Sequence, residues 1–157
     1  MNTTRRQFLT QSAVALLAPT IVPSSVLGRN GQPSPNDQIA MACIGVGNMG
    51  TSNLRAFMQD ERVRIAAVAD VDQGHLSRGL ELAKLGPESG VRDYREIIDR
   101  QDIDAVMIAT PDHWHALITV AAVRAGKDIY CEKPLAASIG EGRFVTEAVK
   151  RNGRVLQ

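Results

Sequence analysis

An apolar run, Ile39-Ala40-Met41-Ala42-Cys43-Ile44, breaks directly into Gly45-Val46-Gly47-Asn48-Met49-Gly50, and this junction constrains the fold more than any other stretch of the chain. A short apolar segment suits a buried strand, and G-x-G-x-x-G is the turn through which such a strand hands over to a helix in a dinucleotide-binding unit. Each glycine answers a separate steric demand. Gly45 permits the tight turn, Gly47 puts no side chain between the backbone and a pyrophosphate, and Gly50 lets the helix pack closely on the strand. The free N–H groups at Asn48 and Met49, together with the positive end of the helix dipole, complete an anion site.

A glycine turn alone arises easily by chance, so its surroundings carry the weight. The dinucleotide fingerprint requires a second strand ending in an acid about 20 residues further on. Val63-Arg64-Ile65-Ala66-Ala67-Val68-Ala69-Asp70 supplies it. Asp70 is the candidate ligand of the adenosine ribose. Its carboxylate accepts hydrogen bonds from ribose hydroxyls and repels a 2′-phosphate, which favours NAD over NADP. The competing reading is an acid that merely ends a strand in a solvated turn.

With 157 residues, 44% of them hydrophobic, the chain has room for one ordinary domain with a packed core. The net charge of +1, with acids and bases interspersed, shows no footprint for nucleic acid. Cys43 and Cys131 are the only cysteines. Both fall in segments read as strands and are expected to be buried thiols, kept apart by an intervening strand and too few for a zinc site.

The first 28 residues read as separate from the fold. Arg5-Arg6, followed by Phe8-Leu9 and the modest apolar core Ala13-Val14-Ala15-Leu16-Leu17-Ala18, resembles a twin-arginine export signal. Pro19 and Pro23 interrupt a run already too short to span about 30 Å of hydrocarbon, so no membrane anchor is expected after cleavage. Cleavage is expected after Gly28, with Ser25 as an alternative. Residues 29–38, rich in Gly, Pro, Ser and Asn, read as a flexible leader before a domain over 39–157. The twin-arginine route carries folded proteins to the periplasm or beyond, which suits a domain that takes up its nucleotide first and holds it tightly.

Further along, a helix is expected from Gly74 to Leu85, stopping at Gly86-Pro87. A short extended piece follows at Val91–Tyr94, a short helix at Arg95–Arg100, and a buried strand at Asp104–Thr110 halted by Pro111. A helix from His113 to Ala125 capped by Gly126, a strand at Asp128–Cys131, a helix from Ser138 to Arg151 stopped by Gly153, and the start of a sixth strand complete the pattern. Strands alternating with helices argue for a doubly wound α/β fold, a parallel sheet covered on both faces, with its ligand site at the carboxyl ends of the strands. Gly45 to Gly50, Asp70, Thr110 to His115 and Glu132 to Pro134 all converge there.

Thr110-Pro111-Asp112-His113-Trp114-His115 resembles the segment after strand four in the Gfo/Idh/MocA oxidoreductases, and Ala125-Gly126-Lys127-Asp128-Ile129-Tyr130-Cys131-Glu132-Lys133-Pro134-Leu135-Ala136 resembles their fifth strand with the Glu-Lys-Pro motif that follows it. The resemblance covers nearly all of 39–157. It implies a Rossmann domain binding NAD, with Thr110, Pro111, His113, His115, Glu132 and Lys133 near the cofactor and a sugar or polyol as substrate. It also places Lys133 beside the nicotinamide and the reacting carbon as the candidate catalytic residue. An ammonium there polarises a hydroxyl or stabilises a developing alkoxide. The competing reading is a surface lysine paired with Glu132. Trp114 is a candidate wall of the site and Pro134 a candidate cis residue. His113 and His115 lack a third ligand of suitable spacing, so no metal is expected, and His75 reads as a solvated helix residue.

Members of this family run to about twice the present length, the second half binding substrate. The resemblance therefore implies a truncated member with little activity alone. A glycoside hydrolase that uses NAD without net redox change, and a non-catalytic nucleotide- or partner-binding module, are the alternatives.

Overall fold

The computed structural model describes residue 34 and residues 37–157. The twin-arginine segment and most of the leader lie outside the described residues. The elements are β1 (Ile39–Ile44), α1 (Asn48–Phe57), β2 (Val63–Ala69), α2 (Gln73–Ala83), a 3-10 turn (Pro87–Ser89), β3 (Gly90–Val91), α3 (Tyr94–Ile98), β4 (Ala105–Ile108), α4 (Asp112–Arg124), β5 (Asp128–Cys131) and α5 (Ile139–Asn152). The strands form one parallel sheet in the order β3-β2-β1-β4-β5. This is the expected doubly wound α/β arrangement.

The central strands read as continuous apolar runs because both of their faces are covered. Along β1 the side chains alternate between the two. Ala40, Ala42 and Ile44 pack with Ile118, Val123 and Val145 from α4 and α5. Met41 and Cys43 pack with Leu54 and Leu76 from α1 and α2. On the outer side of β5 the chain returns to the sheet through a single isolated parallel bridge between Leu156 and Ile129, where the sequence predicts a sixth strand to start.

Helix ends depart from expectation in an instructive way. Helix α2 closes at Ala83 rather than at the expected Leu85, and the left-handed residue that ends it is Lys84 (φ 56°). Leu85 N–H bonds to Leu80 O at 2.9 Å, the wide hydrogen bond of a Schellman cap. Leu85 joins the apolar cluster, so its burial offsets the strain of a non-glycine at positive φ. Gly126 takes the left-handed position expected of it (φ 80°), and Gly153, expected only to stop the last helix, is left-handed as well (φ 60°). The short helix α3 begins one residue early, where the Asp93 carboxylate accepts from Arg95 N–H at 2.9 Å.

Cys43 is buried, which pushes its thiol up to about 12. Cys131, expected to be buried, is half-exposed, because β5 has only the short Leu156 pairing on its outer side. Both are free thiols, with β4 lying between their strands.

The amino-terminal ends of the strands are locked by polar groups. Asp104 Oδ2 accepts from Ala40 N–H at 2.8 Å, and Asp104 N–H donates to Ala40 O at 2.8 Å. Lys127 is 3% exposed, and its ammonium donates to the carbonyls of Ile103, at 2.9 Å, and Arg100. A buried ammonium is tolerated only with such partners. Replacing Lys127 by Met removes the donor and strands two carbonyls, and is expected to lower the unfolding free energy by about 2–3 kcal/mol in urea denaturation.

Candidate functional site

The loops at the carboxyl ends of the strands enclose a cleft of about 920 Å³. That is the size of a small-molecule or cofactor site. The turn between β1 and α1 forms its floor. Gly45 sits at φ +83°, and a Cβ there would lie 2.8 Å from the carbonyl carbon and oxygen of Ala109 and 2.9 Å from Thr110 N. A Cβ on Gly50 would come within 2.0 Å of Gly45 O. Gly47 differs from both: the nearest atom to a Cβ there is in the His75 ring, at 3.7 Å. Two of the glycines are thus demanded by the protein's own backbone, whereas Gly47 leaves space open to the cleft.

Asp70 closes one side. Its Oδ2 accepts from Val46 N–H at 2.8 Å and its Oδ1 from Asp72 N–H at 2.9 Å, and its side chain is 9% exposed. The carboxylate therefore ties the glycine turn to the loop after β2 while lining the cleft. His75, read from the sequence as solvated, is half-buried here, with Nδ1 3.6 Å from Asp70 Oδ2. Asp72 caps α2 by accepting from His75 N–H at 2.8 Å, and this bond holds its carboxyl below the usual range. Arg92 donates to Val71 O at 2.7 Å, fixing the same loop from β3 and leaving Val71 exposed toward the cleft.

On the β4 side, Thr110 and Pro111 line the cleft, and Thr110 Oγ1 is shut off from solvent with no hydrogen-bond partner among the described residues. His115 is 2% exposed, and its ring spans two loops, with Nδ1 2.7 Å from Pro134 O and Nε2 2.7 Å from Thr110 O. Both ring nitrogens are engaged, so its place in the lining is that of a strut. Trp114 lines the cleft edge-on to Tyr94, with ring centroids 6.4 Å apart and the Arg95 guanidinium 5.0 Å above the tyrosine. His113 is exposed and lies outside the lining beside Asp112, at 3.6 Å. Asn48 and Gly50 are also outside the lining, whereas Met49 is part of it.

Beyond β5, Glu132, Lys133 and Pro134 face the same cleft, and the Lys133–Pro134 peptide is cis. Glu132 Oε1 accepts from Asn53 Nδ2 at 2.8 Å and Oε2 from Lys133 N–H at 3.2 Å. Lys133 is exposed, and its ammonium forms no ion pair with Glu132 or any other described residue. Sequence reasoning missed His75, Asn53, Tyr94, Arg92 and Arg95. The last three follow β3, whose carboxyl end the crevice rule includes once Val91 is recognised as a strand.

A sequence profile described as "Oxidoreductase family, NAD-binding Rossmann fold" matches residues 39–157. The chain belongs to the Gfo/Idh/MocA oxidoreductase family. Among its relatives, inositol 2-dehydrogenase 1 of Saccharopolyspora erythraea is 35% identical over 123 residues, which are 76% of this chain and 36% of that protein. A glycosyl hydrolase family 109 protein of Shewanella baltica is 30% identical over 149 residues, 88% of this chain and 32% of its own length. The crystal structure of myo-inositol 2-dehydrogenase from Lactobacillus plantarum superposes with a TM-score of 0.70 at 26% identity, covering 76% of this chain and 35% of that one. The chain thus spans about a third of the length of the relatives it matches, and it carries the family's NAD-binding Rossmann domain.

The glycines separate fold from binding. Gly45→Ala is expected to lower the melting temperature sharply, whereas Gly47→Ala should leave it nearly unchanged and weaken NAD binding about tenfold, by thermal denaturation and calorimetry. Because the Asp72 carboxyl lies below its unfolded value, its contribution to stability is present above about pH 4 and is lost as the pH falls through the folded value. The Asp72→Asn variant keeps a capping side chain. It is expected to lose less stability than the parent between about pH 5 and pH 3 in urea titrations.

Proposed function

We propose that residues 39–157 bind NAD in preference to NADP, as the nucleotide half of an exported oxidoreductase acting on CH–OH groups of sugars or polyols. The observation that carries this reading is the open face of Gly47 beside the low-exposure carboxylate of Asp70, within one cleft that also holds an unpaired lysine. The residues fit a dinucleotide. The turn at Gly47 and the start of α1 hold a pyrophosphate with backbone N–H groups, and Asp70 retains lone pairs for ribose hydroxyls while opposing a 2′-phosphate.

Bound NAD supplies the hydride acceptor or donor. The protein's own part is to orient and to stabilise charge. Lys133, with no competing carboxylate on its ammonium, holds the negative charge that develops on a substrate oxygen as its proton leaves. His115 and Glu132 hold the loop that carries it. The chain spans about a third of the length of its relatives, so this proposal concerns the nucleotide-binding part of the reaction. The Arg5-Arg6 segment supports passage through the twin-arginine route with the nucleotide already in place. A second reading, redox-neutral glycoside cleavage with NAD returned to its starting state, is favoured by the 88% coverage of the match to the glycosyl hydrolase family 109 protein. Net accumulation of NADH from a free polyol supports the first; sugar release without NADH supports the second.

Calorimetric titration of the full chain is the direct test. NAD is expected to bind at least about tenfold more tightly than NADP, with the difference narrowing in Asp70→Ser, since a carboxylate facing a phosphate costs several kcal/mol. Equal affinities in the parent, or no binding by folded protein, would overturn the assignment.

A further inference from the structure

Helix interiors disfavour asparagine, whose side chain competes with the backbone for hydrogen bonds. Asn53 nonetheless lies within α1, and it reaches a residue 79 positions away: its Nδ2 donates to Glu132 Oε1 at 2.8 Å. An ionised carboxylate only accepts, so the amide nitrogen must be the atom that faces it. The second oxygen of Glu132 takes Lys133 N–H at 3.2 Å. Glu132 is half-buried, and Lys133 is its neighbour in sequence, the nearest cation along the chain. A lysine next to a half-buried carboxylate has the reach to fold back onto it. Here the ammonium does not, and the carboxylate is occupied by Asn53 and by the lysine's own backbone.

We propose that Asn53 is a positioning residue: by occupying the Glu132 carboxylate it fixes the Lys133 backbone and keeps the Lys133 ammonium free to meet a ligand at the β5 end of the cleft. The inference rests on the NAD reading for the identity of that ligand. Asp70 lies at the end of β2, the glycine turn at β1, and Glu132 and Lys133 beyond β5. A dinucleotide laid across the crevice with its adenosine ribose on Asp70 and its pyrophosphate on the turn brings its nicotinamide half toward β4 and β5. Asn53 therefore couples the helix that receives the pyrophosphate to the loop that receives the nicotinamide. Once Asn53 is removed, Lys133 closes onto Glu132, and the site loses its free cation while His115 still holds the loop at Pro134.

The test compares the full chain with its Asn53→Leu variant, titrated by calorimetry with NAD and with ADP-ribose, which lacks the nicotinamide. NAD affinity is expected to fall about tenfold and ADP-ribose affinity to stay within about twofold. A parallel loss of both ligands would mean general damage to the cleft and would overturn the proposal, as would no loss of either. Exchange of donor and acceptor supplies the rescue: the double variant Asn53→Asp with Glu132→Gln should bind NAD more tightly than Asn53→Asp alone, and equal or weaker binding counts against it. In the ligand-free protein, the Lys133 amide resonance is expected to shift in Asn53→Leu and to move back in the double variant. An unchanged resonance would sink the Asn53 contact. Should neither ligand bind the parent, the NAD reading fails, while the resonance still decides what Asn53 does.

Discussion

The turn between β1 and α1 has no room for side chains where its backbone meets itself. Gly50 passes under the Gly45 carbonyl, and Gly45 lies against the backbone of Ala109 and Thr110 at the end of β4. Those approaches set where α1 starts and how near it comes to the sheet. They also set how closely the loop after β4 abuts the loop after β1. Gly47 alone among them meets no backbone there, only the edge of the His75 ring at 3.7 Å. The cleft is consequently a property of backbone packing rather than of the side chains that decorate it.

A series of carboxylates then organises the surrounding loops by accepting backbone N–H groups. Asp70 joins the turn to the loop after β2, Asp72 and Asp93 open α2 and α3, and Asp104 binds the start of β1. Charge-assisted bonds of this kind are stronger than neutral ones and satisfy donors that helix starts would otherwise leave open. Exposed ion pairs such as Asp60–Arg62 and Arg100–Asp102 add little by comparison. At the cleft, the effect is a loop after β2 held from three directions before any ligand arrives, which lowers the ordering cost of binding.

The alternation of strand and helix, the parallel sheet and the convergence of four separated segments were legible in the residues, because apolar runs and glycine turns encode them locally. Less legible were features that depend on partners far along the chain. The end of α2 at Lys84 is decided by where Leu85 can be buried, which no propensity reveals. Lys127 looked like a motif residue and is a buried ammonium, because the carbonyls that satisfy it come from the segment before β4. His75 looked solvated because its helical position is polar, yet the first turn of α2 folds it against Gly47 and Asp70. Asn53 carried no signal at all. His113 and His115, two residues apart, separate completely, one into solvent and one buried between the loops after β4 and β5, since a helix points residues so spaced to different faces.

Trp114 is the chain's sole tryptophan, and it stands on the rim of the cleft with part of its ring in solvent. Of the two tyrosines, Tyr94 packs against it, while Tyr130 sits under Phe57 on another part of the sheet. The protein's red-edge ultraviolet emission therefore originates at one place, and that place is the mouth of the crevice. A ligand that fills the cleft changes the surroundings of the one indole in the chain, so the native protein carries its own optical gauge of occupancy without label or mutation.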